Sequence, residues 1–130
     1  MDVFVYGTLT SPERAAQVVD SFAFVGPARL SGLHPVEGAF PTRAPGGETA
    51  GRLLRTHEID ALDAYEGVAA GLYTRVSVPL DGDDHPPKAA VYVGDPDRLD
   101  ADAAWPGDGP FPQRVREHVA DAEVRVTVRR

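Results

Sequence analysis

Apolar and polar positions along this chain fall into short stretches, each with a period that names an element. Val3–Tyr6 is an unbroken apolar run and predicts a buried strand. Ser11-Pro12-Glu13 predicts a helix start: Ser11 suits the N-cap, Pro12 the first turn, and Ala15, Val18 and Val19 supply an apolar stripe. Phe22–Leu33 reads as β-structure broken at Gly26-Pro27, residues 38–47 ("GAFPTRAPGG") as a turn-rich segment, and Thr49–Thr56 as another strand. In "HEIDALDAYEG", Ile59, Leu62 and Tyr65 or Glu66 fall at helical spacing and Gly67 is a natural stop.

Leu72–Leu80 alternates apolar and polar residues, "DGDDHPP" reads as a hairpin-type turn, and "KAAVYVGD" returns as the next strand. Asp97–Asp108 is expected to be an acidic loop, Gln113–Ala122 a helix, and "EVRVTVRR" an edge strand that closes the sheet. Several strands, frequent hairpins and two or three helices predict an α+β fold, with a mixed or antiparallel sheet able to curl into a barrel.

Length and charge narrow the function classes. The 130 residues form a single domain, 1–130, large enough for its own core. A net charge of −7 repels phosphate backbones, so no nucleic-acid partner is expected. The absence of an apolar run of membrane length argues against a membrane partner. Met1-Asp2 leads straight into a strand with no signal-peptide pattern, which predicts a cytoplasmic protein. The acidity fits either a salty cytoplasm or a biased genome composition. With no cysteine, disulfides, thiolate metal sites and cysteine nucleophiles are excluded.

Two short stretches could carry chemistry. At Tyr6-Gly7-Thr8-Leu9 a strand passes at once into a glycine turn whose amides could form a concave anion site; the ordinary alternative is a strand that simply ends at glycine. Neither dinucleotide nor phosphate-loop glycine motifs are present. In "LDAYEG", Asp63 and Glu66 stand three apart on one helix face, where two carboxylates can divide proton work; the alternative is a solvated acidic helix end. Glu66 sits at a helix C-terminus, which disfavours its charge and should raise its pKa.

His34, His57, His85 and His118 lack metal-ligand spacing, "DGDD" lacks the closing glutamate of a calcium loop, and no serine lies in a nucleophile elbow. Tyr73 and Arg75 in "LYTR" fit either a pocket or strand packing with a surface ion pair.

The order of "VFVYGTL", "AFPTRAPGG", "AGRLLR", "LDAYEG" and "YTR" resembles the gamma-glutamylcyclotransferase-like family, and within it the branch that includes gamma-glutamylamine cyclotransferases. The resemblance runs from Val3 to about Val93. It implies a mixed β-barrel with flanking helices and a pocket in which Tyr6, Gly7, Thr8 and Leu9 hold substrate, the turn amides binding an α-carboxylate. Tyr73 completes the substrate-binding set, and Glu66 acts as the catalytic acid/base. The implied reaction closes a γ-glutamyl amide to 5-oxoproline and releases an amine, without metal or cofactor. The expected partner is a small molecule with an α-amino acid end, and the expected state a monomer or weak homodimer. Two other readings stand beside it: an enzyme of this fold acting on a different small amide, and a non-enzymatic module that binds a small metabolite.

Overall fold

The structure, a computed structural model, describes residues 1–36, 42–81, 88–101 and 103–128, without the side chain of Thr8. Its strands are β1 (Asp2–Val5), β2 (Ala23–Val36), β3 (Thr42–Arg55), β4 (Tyr73–Asp81), β5 (Lys88–Gly94) and β6 (Arg125–Val128). Between them lie a 3-10 turn (Gly7–Thr10) and the helices α1 (Pro12–Val18), α2 (Ile59–Glu66), α3 (Pro96–Leu99) and α4 (Phe111–Asp121). The strands close into a barrel in the order β1-β3-β2-β6-β4-β5. Most neighbours are antiparallel, while β1 with β5 and β4 with β6 run parallel. The sheet is therefore mixed, as the strand pattern allows.

Side-chain alternation sorts the core into two clusters, because successive residues of a strand face opposite sides. Phe4, Leu53, Val91 and Val93 join Leu30, Val76 and Val126 in one cluster, which Trp105 and the α4 residues Phe111, Val115 and Val119 complete. Val3, Val5, Leu54, Ala90 and Tyr92 point the other way and pack with Leu9, Ala15, Val19 and Leu62 from the turn, α1 and α2. All four residues of β1 are buried. Strands β2 and β3 are 14 residues long, and their register slips between Phe24 and Gly26 and between Ser31 and Leu33. Such bulges bend a long ribbon, and bending lets six strands close on themselves. At Gly51 the curl brings β3 against β1 so tightly that a Cβ would sit 2.2 Å from the Val5 carbonyl oxygen.

Four expectations are corrected. Strand β6 is no edge strand: it lies between β2 and β4, since closure leaves the barrel without edges. Gly26-Pro27 does not break β2 but follows a bulge within it. Thr42–Gly47, taken as turn, is the start of β3, with Gly46 and Gly47 at positive φ inside it; residues 38–41 lie outside the described residues. The segment expected as acidic loop begins with α3, capped by Asp95, whose carboxylate accepts from the Asp97 N–H at 3.0 Å. Residues 82–87 of the expected hairpin turn, with His85, lie outside the described residues. No described helix is long and apolar enough to cross a membrane.

Candidate active site

Strand β1 delivers Tyr6 and Gly7 to one end of the barrel. Gly7 is at φ 69°, a left-handed conformation that side chains resist, although among the described residues nothing beyond its chain neighbours stands within 4 Å of where its Cβ would be. Glycine is needed here for backbone shape, not for space. The turn that follows is pinned twice: the Thr10 hydroxyl donates to the Gly7 carbonyl at 2.6 Å, and Arg52 Nη1 donates to the Thr10 carbonyl at 2.9 Å. Leu9 is buried between α1 and α2 and anchors the turn in the core. The first amides of a 3-10 turn have no acceptor within the turn itself.

Helix α2 stops at Gly67, also left-handed at φ 69°, where Val68 N–H closes back on the Asp63 carbonyl at 3.0 Å. The backbone requires glycine here, and a Cβ on Gly67 would also lie 2.8 Å from Leu72 Cδ1, so the Leu72 side chain would have to shift to admit it. The reversal leaves Glu66 as the last helical residue and brings the chain back through Leu72 into β4 at Tyr73.

These elements enclose one cavity of about 390 Å³, lined by Tyr6, Gly7, Leu9, Glu66 and Tyr73 together with Phe4, Val5, Arg14, Arg43, Tyr65, Leu72 and Tyr92. The structure thus brings Glu66 and Tyr73 to the same space as the Tyr6–Leu9 segment; Thr8 contributes its place in the turn. Burial pushes the Glu66 carboxyl up to about 7, against the opposing pull of Arg43. The dominant cause is burial rather than the helix end expected from sequence. Burial also raises Tyr6 and Tyr73, so both hydroxyls stay protonated at neutral pH. The Tyr6 hydroxyl donates to the Thr42 carbonyl at 2.8 Å.

Arg43 is the residue that sequence reading passed over. It is 2% exposed, yet it forms no ion pair among the described residues. Its guanidinium carbon lies 3.9 Å from the centroid of the Tyr6 ring and 5.3 Å from that of Phe4, and Nη1 donates to the Tyr92 carbonyl. Burial draws its pKa down to about 10, so it remains a cation at neutral pH. The neighbouring Thr42 hydroxyl bridges β3 to β5, accepting from Gly94 N–H at 2.8 Å and donating to the Gly94 carbonyl at 3.2 Å. A single charged residue within the otherwise uncharged stretch 38–47 was the available signal.

Asp63 does not share the cavity with Glu66, which overturns the reading of two carboxylates dividing the work. Its carboxylate accepts from Arg75 Nη1 at 3.0 and 3.2 Å and from the Tyr92 hydroxyl at 2.7 Å, and with Arg75 it lines a separate hollow. Tyr92 is therefore tied to α2 by its hydroxyl and to Arg43 by its carbonyl. Among the described residues no group of three or more His, Cys, Asp or Glu could hold a metal ion.

Solved structures share this fold, among them these three. One is a gamma-glutamyl cyclotransferase, with 21% identity, a TM-score of 0.61, and coverage of 73% of this chain and 66% of that one. The second is an uncharacterized protein from Homo sapiens, with 23% identity, a TM-score of 0.62, and coverage of 72% and 66%. A solution structure from Arabidopsis thaliana matches at 27% identity with a TM-score of 0.53, over 92% of this chain and 83% of that one. This chain spans just under two thirds of the length of the first two. No curated protein matches it. The model of one protein family, described as gamma-glutamyl cyclotransferase, AIG2-like, matches residues 3–109, and across that span lie β1, the glycine turn and α2 with its terminal glutamate. The chain belongs to the gamma-glutamyl cyclotransferase, AIG2-like family.

Proposed function

We propose that this protein is a gamma-glutamyl cyclotransferase-type enzyme that closes a γ-glutamyl amide or amine conjugate to 5-oxoproline, with Glu66 as general acid/base. The observation that carries this reading is a carboxyl held near neutrality in the same cavity as the Tyr6–Leu9 segment. The substrate's α-amine attacks its own γ-carbonyl carbon, a C–N bond closes the five-membered ring, and the original amide C–N bond breaks. Attack needs a neutral amine, whereas in water the group is ammonium. Glu66 takes that proton and returns it to the departing nitrogen. The ring nitrogen passes its second extra proton to the released amine, which leaves as ammonium. A base serves this duty best when its pKa lies near the working pH. The turn at Gly7–Thr10 offers backbone donors to the glutamyl oxygens, and Tyr73 lines the same cavity. Holding the chain of the substrate bent so that amine and carbonyl meet supplies several kcal/mol of the barrier, on the order of what orientation gives in intramolecular reactions.

The test is release of 5-oxoproline from a panel of γ-glutamyl amides and γ-glutamyl amino acids. kcat/KM should rise with pH through a limb near 7 as Glu66 ionises. Glu66→Gln should keep its fold and lose turnover; full activity in that variant removes Glu66 from the mechanism. Thermal stabilisation by these compounds with no 5-oxoproline released would instead favour a non-enzymatic binding protein.

A further inference from the structure

The cavity carries an unbalanced charge. Among its described lining residues Glu66 is the sole acid, facing the two guanidinium groups of Arg43 and Arg14. Arg14 is exposed at the rim and solvated, but Arg43 is buried and has surrendered most of its water. A buried ion costs several kcal/mol unless an opposite charge or a full set of hydrogen bonds replaces its hydration. Here the replacement is incomplete: aromatic faces cover the guanidinium and one carbonyl accepts from Nη1, while Nε is buried with no acceptor among the described residues. The surroundings are also acidic, for the chain as a whole is at −7, so a cationic cavity is a local exception to its charge.

Glu66 cannot serve as the lasting counter-ion of Arg43. It makes no ion pair with it, and a general acid/base must spend part of each cycle protonated, at which point no acid in the cavity would balance the cation. The missing charge has to come with the ligand and stay ionised throughout. We infer that Arg43 forms a buried carboxylate subsite, which takes the α-carboxylate of the substrate's amino acid end and keeps it through ring closure into the product. This inference rests on the cyclotransferase reading for the identity of the ligand. It moves the carboxylate from the turn amides, where the family resemblance put it, to the guanidinium. The turn amides are then left for the γ-carbonyl oxygen, which becomes negative only as the ring closes. The Tyr92 carbonyl holds the Arg43 head beside the Tyr6 and Phe4 rings, and the Thr42–Gly94 bridge fixes the backbone next to it.

Binding of 5-oxoproline and of 2-pyrrolidinone, the same ring without the carboxylate, separates the charge from the shape. The wild-type protein should bind 5-oxoproline more tightly by on the order of tenfold to a hundredfold, the range of a charge-assisted pair. Arg43→Gln should bind the two rings equally, and Arg43→Lys should recover part of the preference. A folded Arg43→Gln protein that still prefers 5-oxoproline as wild type does would overturn the subsite, as would a wild-type protein that binds both rings equally or neither.

Should Arg43→Gln fail to fold, the Arg43 Nε–H NMR signal of the wild-type protein decides. It should shift on adding 5-oxoproline and stay put with 2-pyrrolidinone, and indifference to both sinks the proposal. Failure of the cyclotransferase reading looks different: carboxylate-dependent binding would persist while no γ-glutamyl amide yields 5-oxoproline.

Discussion

Replacing Glu66 by glutamine should make the folded protein more stable, and by an amount that depends on pH. The carboxyl rises from an ordinary 4.5 to about 7 on folding because it is buried. Below about pH 4.5 it is protonated in both folded and unfolded chains and contributes no difference. Between 4.5 and 7 the folded state keeps a proton that the unfolded state has released, so each step up in pH favours unfolding. Above 7 both states are ionised and the full cost stands. A rise of this size corresponds to about 3 kcal/mol, at 1.36 kcal/mol for each pH unit.

Glutamine has the same shape and no charge to lose. The stability gap between Glu66→Gln and wild type should therefore be flat below pH 4.5, widen in favour of the variant up to about pH 7, and level off beyond. Urea unfolding followed through the buried Trp105, the chain's single tryptophan, measures it across pH 4 to 8, with unchanged m-values confirming that only stability has moved. A gap that stays constant across that range, or widens in the opposite sense, would refute the argument that burial governs Glu66.

Two further substitutions probe the frame that holds the site. Gly51→Ala places a methyl 2.2 Å from the Val5 carbonyl oxygen and 2.8 Å from Phe4 Cζ, and backbone cannot give way as a side chain can. It should cost at least the ~1–3 kcal/mol of an overpacked core and displace β1, which thermal unfolding and loss of ligand binding would register together. Thr42→Val keeps the volume but strips Gly94 of its donor and acceptor in a buried position, so it should destabilise by roughly 1–3 kcal/mol in urea unfolding; an unchanged midpoint would mean that the Thr42–Gly94 bridge contributes nothing.

The parts of the fold legible in the sequence were those set by local rules. Strand β1 announces itself by an apolar run, and α2 by its spacing and its closing glycine. The glycine turn and Glu66 were visible because each breaks a local preference. Apart from α3, whose cap at Asp95 is local, the misreadings share one physical origin: the controlling partner was remote in the chain. Strand β6 looks like an edge because nothing local says that Leu80 of β4 will lie beside Val126. Thr42–Gly47 looks like a turn because glycine and proline dominate it, yet pairing with Leu33–Val36 of β2 draws it into the sheet. Arg43 escaped notice for the same reason, since its meaning comes from burial against Tyr6, Phe4 and Tyr92 and from its forming no ion pair among the described residues. Asp63 and Glu66 share a helix face by spacing, but Arg75 and Tyr92 claim the first and leave the second to the cavity.

The cavity wall is built in two grades. Phe4, Val5 and Arg43 are locked into β1 and β3, where any change is felt by the whole barrel, whereas Arg14 and Tyr65 stand exposed on α1 and α2. Mutation can explore those outer two positions at little expense to folding, while the inner ones are nearly frozen. An engineer wishing to retune what the cavity accepts should begin with Arg14 and Tyr65 and leave the interior untouched.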